Sequence, residues 1–124
     1  MRKLIFIAFM VMSVCGYAQK YEVGTTTAVW KAPAAADFLH AKAIGVKYVE
    51  VAFNQCYRGV PVDEVIPRIK EMKAKIDSAD IEVWSIHLPF SRTLDISVLD
   101  DRLRKENVDF MAEMIELCAM FQPT

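Results

Sequence analysis

Short runs of β-branched and aromatic residues alternate along this chain with longer stretches whose apolar residues recur every three or four positions. The short runs, residues 21–27 (YEVGTTT), 46–53 (VKYVEVAF) and 81–87 (IEVWSIH), read as strands. A first helix is expected to open around Pro33, whose missing N–H does no harm in a first turn, and to stop at Gly45. Asp63 is expected to cap a second helix over residues 64–78, with Pro67 near enough its start to be tolerated and Ile66, Ile69, Met72, Lys73 and Ile76 forming the buried stripe. A third helix is expected over residues 98–121, capped by Asp95 or Ser97 and interrupted near Asp100 and Asp101. It would bury Leu99, Leu103, Phe110, Met114, Leu117, Cys118 and Phe121. Strand followed by helix, three times, predicts right-handed βαβ units and a parallel sheet, an α/β fold.

Strict alternation assigns Val83, Ser85 and His87 to one face of the third strand, and Trp84 and Ile86 to the other. Pro89 stops further sheet pairing. His87 therefore stands at the carboxyl end of a strand before a long loop, where α/β proteins place their chemistry. The alternative is a core histidine satisfied by a backbone carbonyl. Glu50 is out of place in the middle of an apolar strand. It faces a polar cavity, pairs with a cation, or sits in water on an edge strand, because an unpaired buried carboxylate costs several kcal/mol. Thr25, Thr26 and Thr27 offer hydroxyls to a ligand or form an ordinary strand end, and Trp30 is a ligand wall or a lid over the core. Residues 54–59 (NQCYRG) read as a polar loop, and the methionines of the third helix as core filler. No CxxC pair, phosphate-binding glycine loop or HExxH occurs.

The amino terminus changes the picture. Arg2 and Lys3 precede an uncharged apolar run that ends at Val14, with Gly16 and Ala18 at the −3 and −1 positions of a cleavage site. This pattern describes a secretory signal peptide over residues 1–18, leaving a mature domain over residues 19–124. Its apolar run is shorter than the roughly 20 residues that span a bilayer, so no stable membrane span is expected after cleavage. A lipid anchor on Cys15 is the alternative. The mature chain keeps 13 of 15 basic residues, without Arg2 and Lys3, against 16 acidic ones, a net charge of −3. That balance speaks against a nucleic-acid groove, which needs a clustered basic surface. Cys56 and Cys118 read as two free thiols, since small disulfide-framed domains carry more cysteines at tighter spacing.

An early GTTT strand, AIGVKYVEVAF with its inward glutamate, IEVWSIHLPFSRTLDIS with its strand-His-x-Pro entry to a loop, and RKENVDFMAEMIELCAMF after it stand in one order. Together they resemble the start of the xylose isomerase-like TIM barrels, the superfamily of sugar phosphate isomerases and epimerases related to endonuclease IV. The resemblance implies a (β/α)8 barrel of about 250 residues, of which about three units stand here as an incomplete, N-terminal portion. It implies a divalent metal held by a Glu, Asp, His, Glu set from later strands, so none is assignable to this chain. It assigns Glu50 and His87 to a substrate-binding wall, with the histidine contacting sugar hydroxyls, a role suited to an imidazole that both donates and accepts near neutral pH.

The implied reaction is proton transfer between adjacent sugar carbons, in which a metal polarises the oxygens and a carboxylate base moves the proton. Glu50 and His87 alone supply neither a second base nor a metal set, so inactivity is expected of this portion by itself. A different reading is a non-catalytic carbohydrate-binding or assembly module that completes its sheet with another chain or a second copy, since an unfinished sheet edge invites pairing. Metal-dependent phosphodiester cleavage is the third, and the net charge and export both count against it. The signal-peptide reading predicts that protein recovered from its native compartment begins at Gln19. Intact-mass measurement checks this, and a chain that retains Met1 would contradict it.

Overall fold

The computed structural model describes residues 21–124. The signal-peptide reading, with Cys15 and the cleavage after Ala18, lies outside the described residues. Strands β1 (Val23–Thr26), β2 (Val46–Ala52) and β3 (Glu82–His87) form one parallel sheet in the order β1-β2-β3. The connecting helices are α1 (Ala35–Ala43), the single turn α2 (Asn54–Tyr57), α3 (Val62–Ser78) and α4 (Asp101–Cys118). Two 3-10 turns, Thr27–Val29 and Ala119–Phe121, follow β1 and α4. This is the expected alternation of strand and helix, and it matches the first units of a (β/α)8 barrel.

One face of the sheet holds the core together. Val49, Val51 and Phe53 alternate along β2 and its end, and all three are fully buried. Phe38 of α1, Ile69 and Ile76 of α3 and Phe121 after α4 are fully buried in the same cluster. A buried aliphatic or aromatic side chain of this kind contributes about 1.5–3 kcal/mol. Trp30 meets Phe38 edge to face, with ring centroids 5.2 Å apart, and so closes the core as a lid. Thr27 is equally structural: its buried Oγ1 accepts the Ala52 N–H at 2.8 Å, tying the end of β1 to the end of β2. Gly45, at φ +96°, supplies the left-handed turn out of α1 that a side chain would strain.

Several local expectations are corrected. β2 is the central strand, so Glu50 does not lie on an edge strand. Residues 54–57 close a helical turn in place of a loop. Asp63 is not the cap of α3. Pro61 occupies that position, and Asp63 sits in the first turn, where a carboxylate suits the positive end of the helix dipole. Pro67 lies inside α3, and Ile66 remains exposed. Neither Asp95 nor Ser97 caps α4; Asp100 does, its Oδ1 accepting the Leu103 N–H at 2.8 Å. The helix thus starts at the expected interruption, which leaves Leu99 before it and 95% exposed.

Cys56 and Cys118 are both free and buried, as expected of two thiols without a disulfide framework. Burial pushes each thiol up to about 11, and for Cys56 the neighbouring Cys118 adds to the effect. Because the folded state favours the neutral thiols, their contribution to stability is whole below the ordinary value of 9.0 and is lost as pH rises toward about 11. We expect the thermal midpoint to fall over that alkaline window, and to fall less in a variant carrying Cys56→Ala and Cys118→Ala. An equal alkaline loss in both proteins would contradict this assignment.

Candidate functional site

The face of the sheet opposite the helices carries the polar residues. Tyr48, Glu50 and Ala52 of β2 are each only partly buried there, alternating with the buried valines. What reaches this face from β3 is decided by a bulge. Val49 pairs with Val83, but Glu50 pairs with Ser85, so Trp84 is an extra residue in the ladder. From that point the side-chain parity of β3 is reversed. Val83 is buried on the helix side, whereas Ser85 and His87 stand beside Glu50 and Ala52 on the open side. The strict alternation expected from sequence therefore fails at its centre. Val83 does not share a face with Ser85 and His87, and Trp84 does not share one with Ile86. The Trp84 ring meets Tyr48 on the open side instead, with centroids 5.6 Å apart, while Ile86 packs against the core.

The bulge brings the two expected site residues together. His87 Nδ1 lies 3.7 Å from Glu50 Oε1, and the side chains are 47% and 39% exposed. That separation is too long for a direct hydrogen bond but suits an ion pair when the imidazole is protonated, or one hydroxyl oxygen held between both groups. Ser85 Oγ donates to Glu50 Oε2 at 3.3 Å, which engages one carboxylate oxygen and leaves the other toward His87. The Phe53 N–H donates to the His87 carbonyl at 3.1 Å and locks the ends of β2 and β3 at this level. Phe90, in the loop after β3, sets its ring 5.6 Å from the imidazole. His87 is thus not a buried core histidine: it stands half-exposed at the carboxyl end of its strand.

Further residues line this face without having been singled out as site residues. Ser85, Trp84 and Tyr48, with Thr26 and Glu50, line a shallow cleft of about 430 Å3. Of the three threonines, Thr27 is committed to the backbone. Thr26 pairs with Glu50 across β1 and β2 and keeps its hydroxyl at the cleft, where its Oγ1 accepts the Ala28 N–H at 3.3 Å. Asp95 stays apart. Its carboxylate accepts the backbone N–H and hydroxyl of Ser97, and these bonds hold it below the usual carboxylate range.

Among the described residues, no three His, Cys, Asp or Glu side chains come together to hold a metal ion. The Glu50–His87 pair by itself does not fit the divalent ion that the resemblance implies, because two ligands are too few for a structural or catalytic site. None of the described helices is long and apolar enough to cross a membrane.

A search of curated proteins finds no match to the chain. A family model described as xylose isomerase-like TIM barrel matches residues 38–123, from the buried Phe38 of α1 through β2, β3 and α4. That span takes in both Glu50 and His87 and well over half of the sequence, and the chain belongs to the xylose isomerase-like TIM barrel family.

Proposed function

We propose that this chain supplies the polyol-binding wall of a sugar isomerase or epimerase site, and that it works after export. The observation that carries the reading is the meeting of Glu50 and His87 across β2 and β3, 3.7 Å apart and open to solvent. A sugar hydroxyl between them donates to the carboxylate and accepts from the imidazole, so two adjacent groups fix one oxygen and orient the carbon that bears it. Ser85 steadies the carboxylate through its second oxygen. In a complete site of this family a divalent metal would polarise the neighbouring oxygens. This chain's residues bind and orient.

A second reading, the non-catalytic module that completes its sheet with another chain, has its own support. The Thr124 N–H donates to the Val83 carbonyl at 3.0 Å, and Val83 belongs to the strand that β2 flanks on one side only. This chain's own Thr124 engages that carbonyl, and the rest of the outer edge of β3 is where a strand of another chain would pair. Sedimentation separates the two readings: a chain that associates only through this edge, with no affinity for sugars, supports the second.

Saturation-transfer NMR on the full chain with a panel of aldoses and ketoses tests the first. Glu50→Gln and His87→Ala are each expected to weaken binding by roughly tenfold, the effect of removing one hydrogen bond that involves a charged group. Each is expected to change folding stability by less than about 1 kcal/mol, because a half-exposed pair contributes little to it. A large loss of stability with unchanged sugar binding would show both to be structural residues.

A further inference from the structure

Among the described residues, two polar side chains are buried in the fold, Thr27 and Asn107. Thr27 is accounted for by its bond to Ala52. Asn107 lies in α4, is 4% exposed, and takes no part in the polyol wall. A buried amide is retained where it satisfies a backbone group that the fold leaves open. Its Nδ2 donates to the Asp95 carbonyl at 2.9 Å, reaching back 12 residues into the loop between β3 and α4.

That loop turns back on itself twice. The Leu94 N–H donates to the Ser91 carbonyl at 3.0 Å, and the Ser97 N–H donates to Asp95 Oδ1 at 2.8 Å. Neither turn reaches the sheet or α4. At the start of the loop Leu88 packs against the core and Pro89 is buried. Beyond Pro89 the loop spans an open hollow of about 860 Å3, walled by Phe90, Leu94 and Ile96 on its own side and by Met111 and Ile115 on α4. Apolar packing therefore does not fasten it to the helix there. Among the described residues, Asn107 is the one side chain outside residues 88–97 that hydrogen-bonds into them.

Phe90 rides on this span. It is 75% exposed, and its ring stands 5.6 Å from the His87 imidazole at a tilt of 49°. No direct hydrogen bond joins the imidazole to Glu50, whose Oε1 is 3.7 Å from Nδ1, so the other neighbours of the ring decide which way it points. We propose that Asn107 is a positioning residue: by clamping the loop at Asp95, it keeps Phe90 against His87 and the imidazole turned toward Glu50. The proposal rests on the Glu50–His87 reading and deepens it by naming what holds the pair in place.

The test follows the ring protons of the two histidines, His40 and His87, by NMR of the isotope-labelled full chain. Asn107→Leu keeps the size of the side chain and removes its donor. Phe90→Leu removes the ring at an exposed position. The unsubstituted chain is expected to show NOEs between the His87 and Phe90 rings. Asn107→Leu is expected to lose them and to move the His87 signals to their positions in Phe90→Leu, with those of His40 unmoved. Released into three staggered wells, the imidazole would face Glu50 about a third of the time, so binding of D-glucose and D-fructose should weaken about threefold. NOEs that persist in folded Asn107→Leu would overturn the clamp, and unmoved His87 signals in Phe90→Leu would overturn the contact it serves. Lost NOEs with unchanged sugar affinity would overturn the positioning role. If Asn107→Leu does not fold, hydrogen exchange of the Asn107 side-chain amide in the unsubstituted chain decides. Strong protection supports the clamp, and exchange at the rate of a free amide overturns it. An unsubstituted chain that binds neither sugar would remove the polyol reading, and the NOEs would still decide whether Asn107 holds His87.

Discussion

The structure depends on β2 being buried on one face only. Val49, Val51 and Phe53 are sealed beneath the helices, and that packing fixes which side of the strand every other residue occupies. Glu50 lies between two of the buried valines, so it is held on the open side as firmly as they are held in the core. A carboxylate turned inward at that position would carry a desolvation penalty of several kcal/mol. Burying the valines is therefore what presents the carboxylate. The site needs no separate device to orient β2.

β3 needs one. Pairing in register with β2 and alternating regularly, it could not bury Val83 and also present Ser85 and His87. The extra residue at Trp84 resolves the conflict by resetting the parity halfway along the strand. Val83 then packs with Val49 while Ser85 and His87 join Glu50 and Ala52. Trp84 follows the buried Val83 and so lies on the open side against Tyr48 with or without the extra residue. The burial of Val83 and the Glu50–His87 pair are made compatible by one insertion in the ladder.

The larger pattern was legible because it is local. The limits of β2 and the end of α3 follow from runs of β-branched residues and from a helical stripe, and the order of elements follows from their alternation. Glu50 and His87 stood out because each breaks the chemistry of its own strand. What was not legible depends on partners distant in sequence. The bulge is a property of two strands at once, and nothing in IEVWSIH distinguishes a bulged Trp84 from an alternating one. A serine within that apolar run was the available sign, and it is a weak one. The caps were misassigned for a related reason: Asp63, Asp95, Ser97 and Asp100 are all competent residue types. Packing selected among them, starting α4 at Asp101 and leaving Asp95 to turn the loop through Ser97. Thr27 reads with its neighbours as a strand end, but it opens the 3-10 turn after β1, and its Oγ1 ties that turn to β2 by accepting the Ala52 N–H.

Side-chain NOEs across β2 and β3 test the reset of parity most directly. Contacts from the Trp84 indole to the Tyr48 ring, from Ser85 Hβ to Glu50 Hγ, and from Val83 methyls to Val49 methyls are predicted together. Ser85 Hβ contacts to the Val51 methyls, with Ile86 beside Ala52 on the open side, would mean that β3 alternates without a bulge. Glu50 and His87 would then have no common face on which to act.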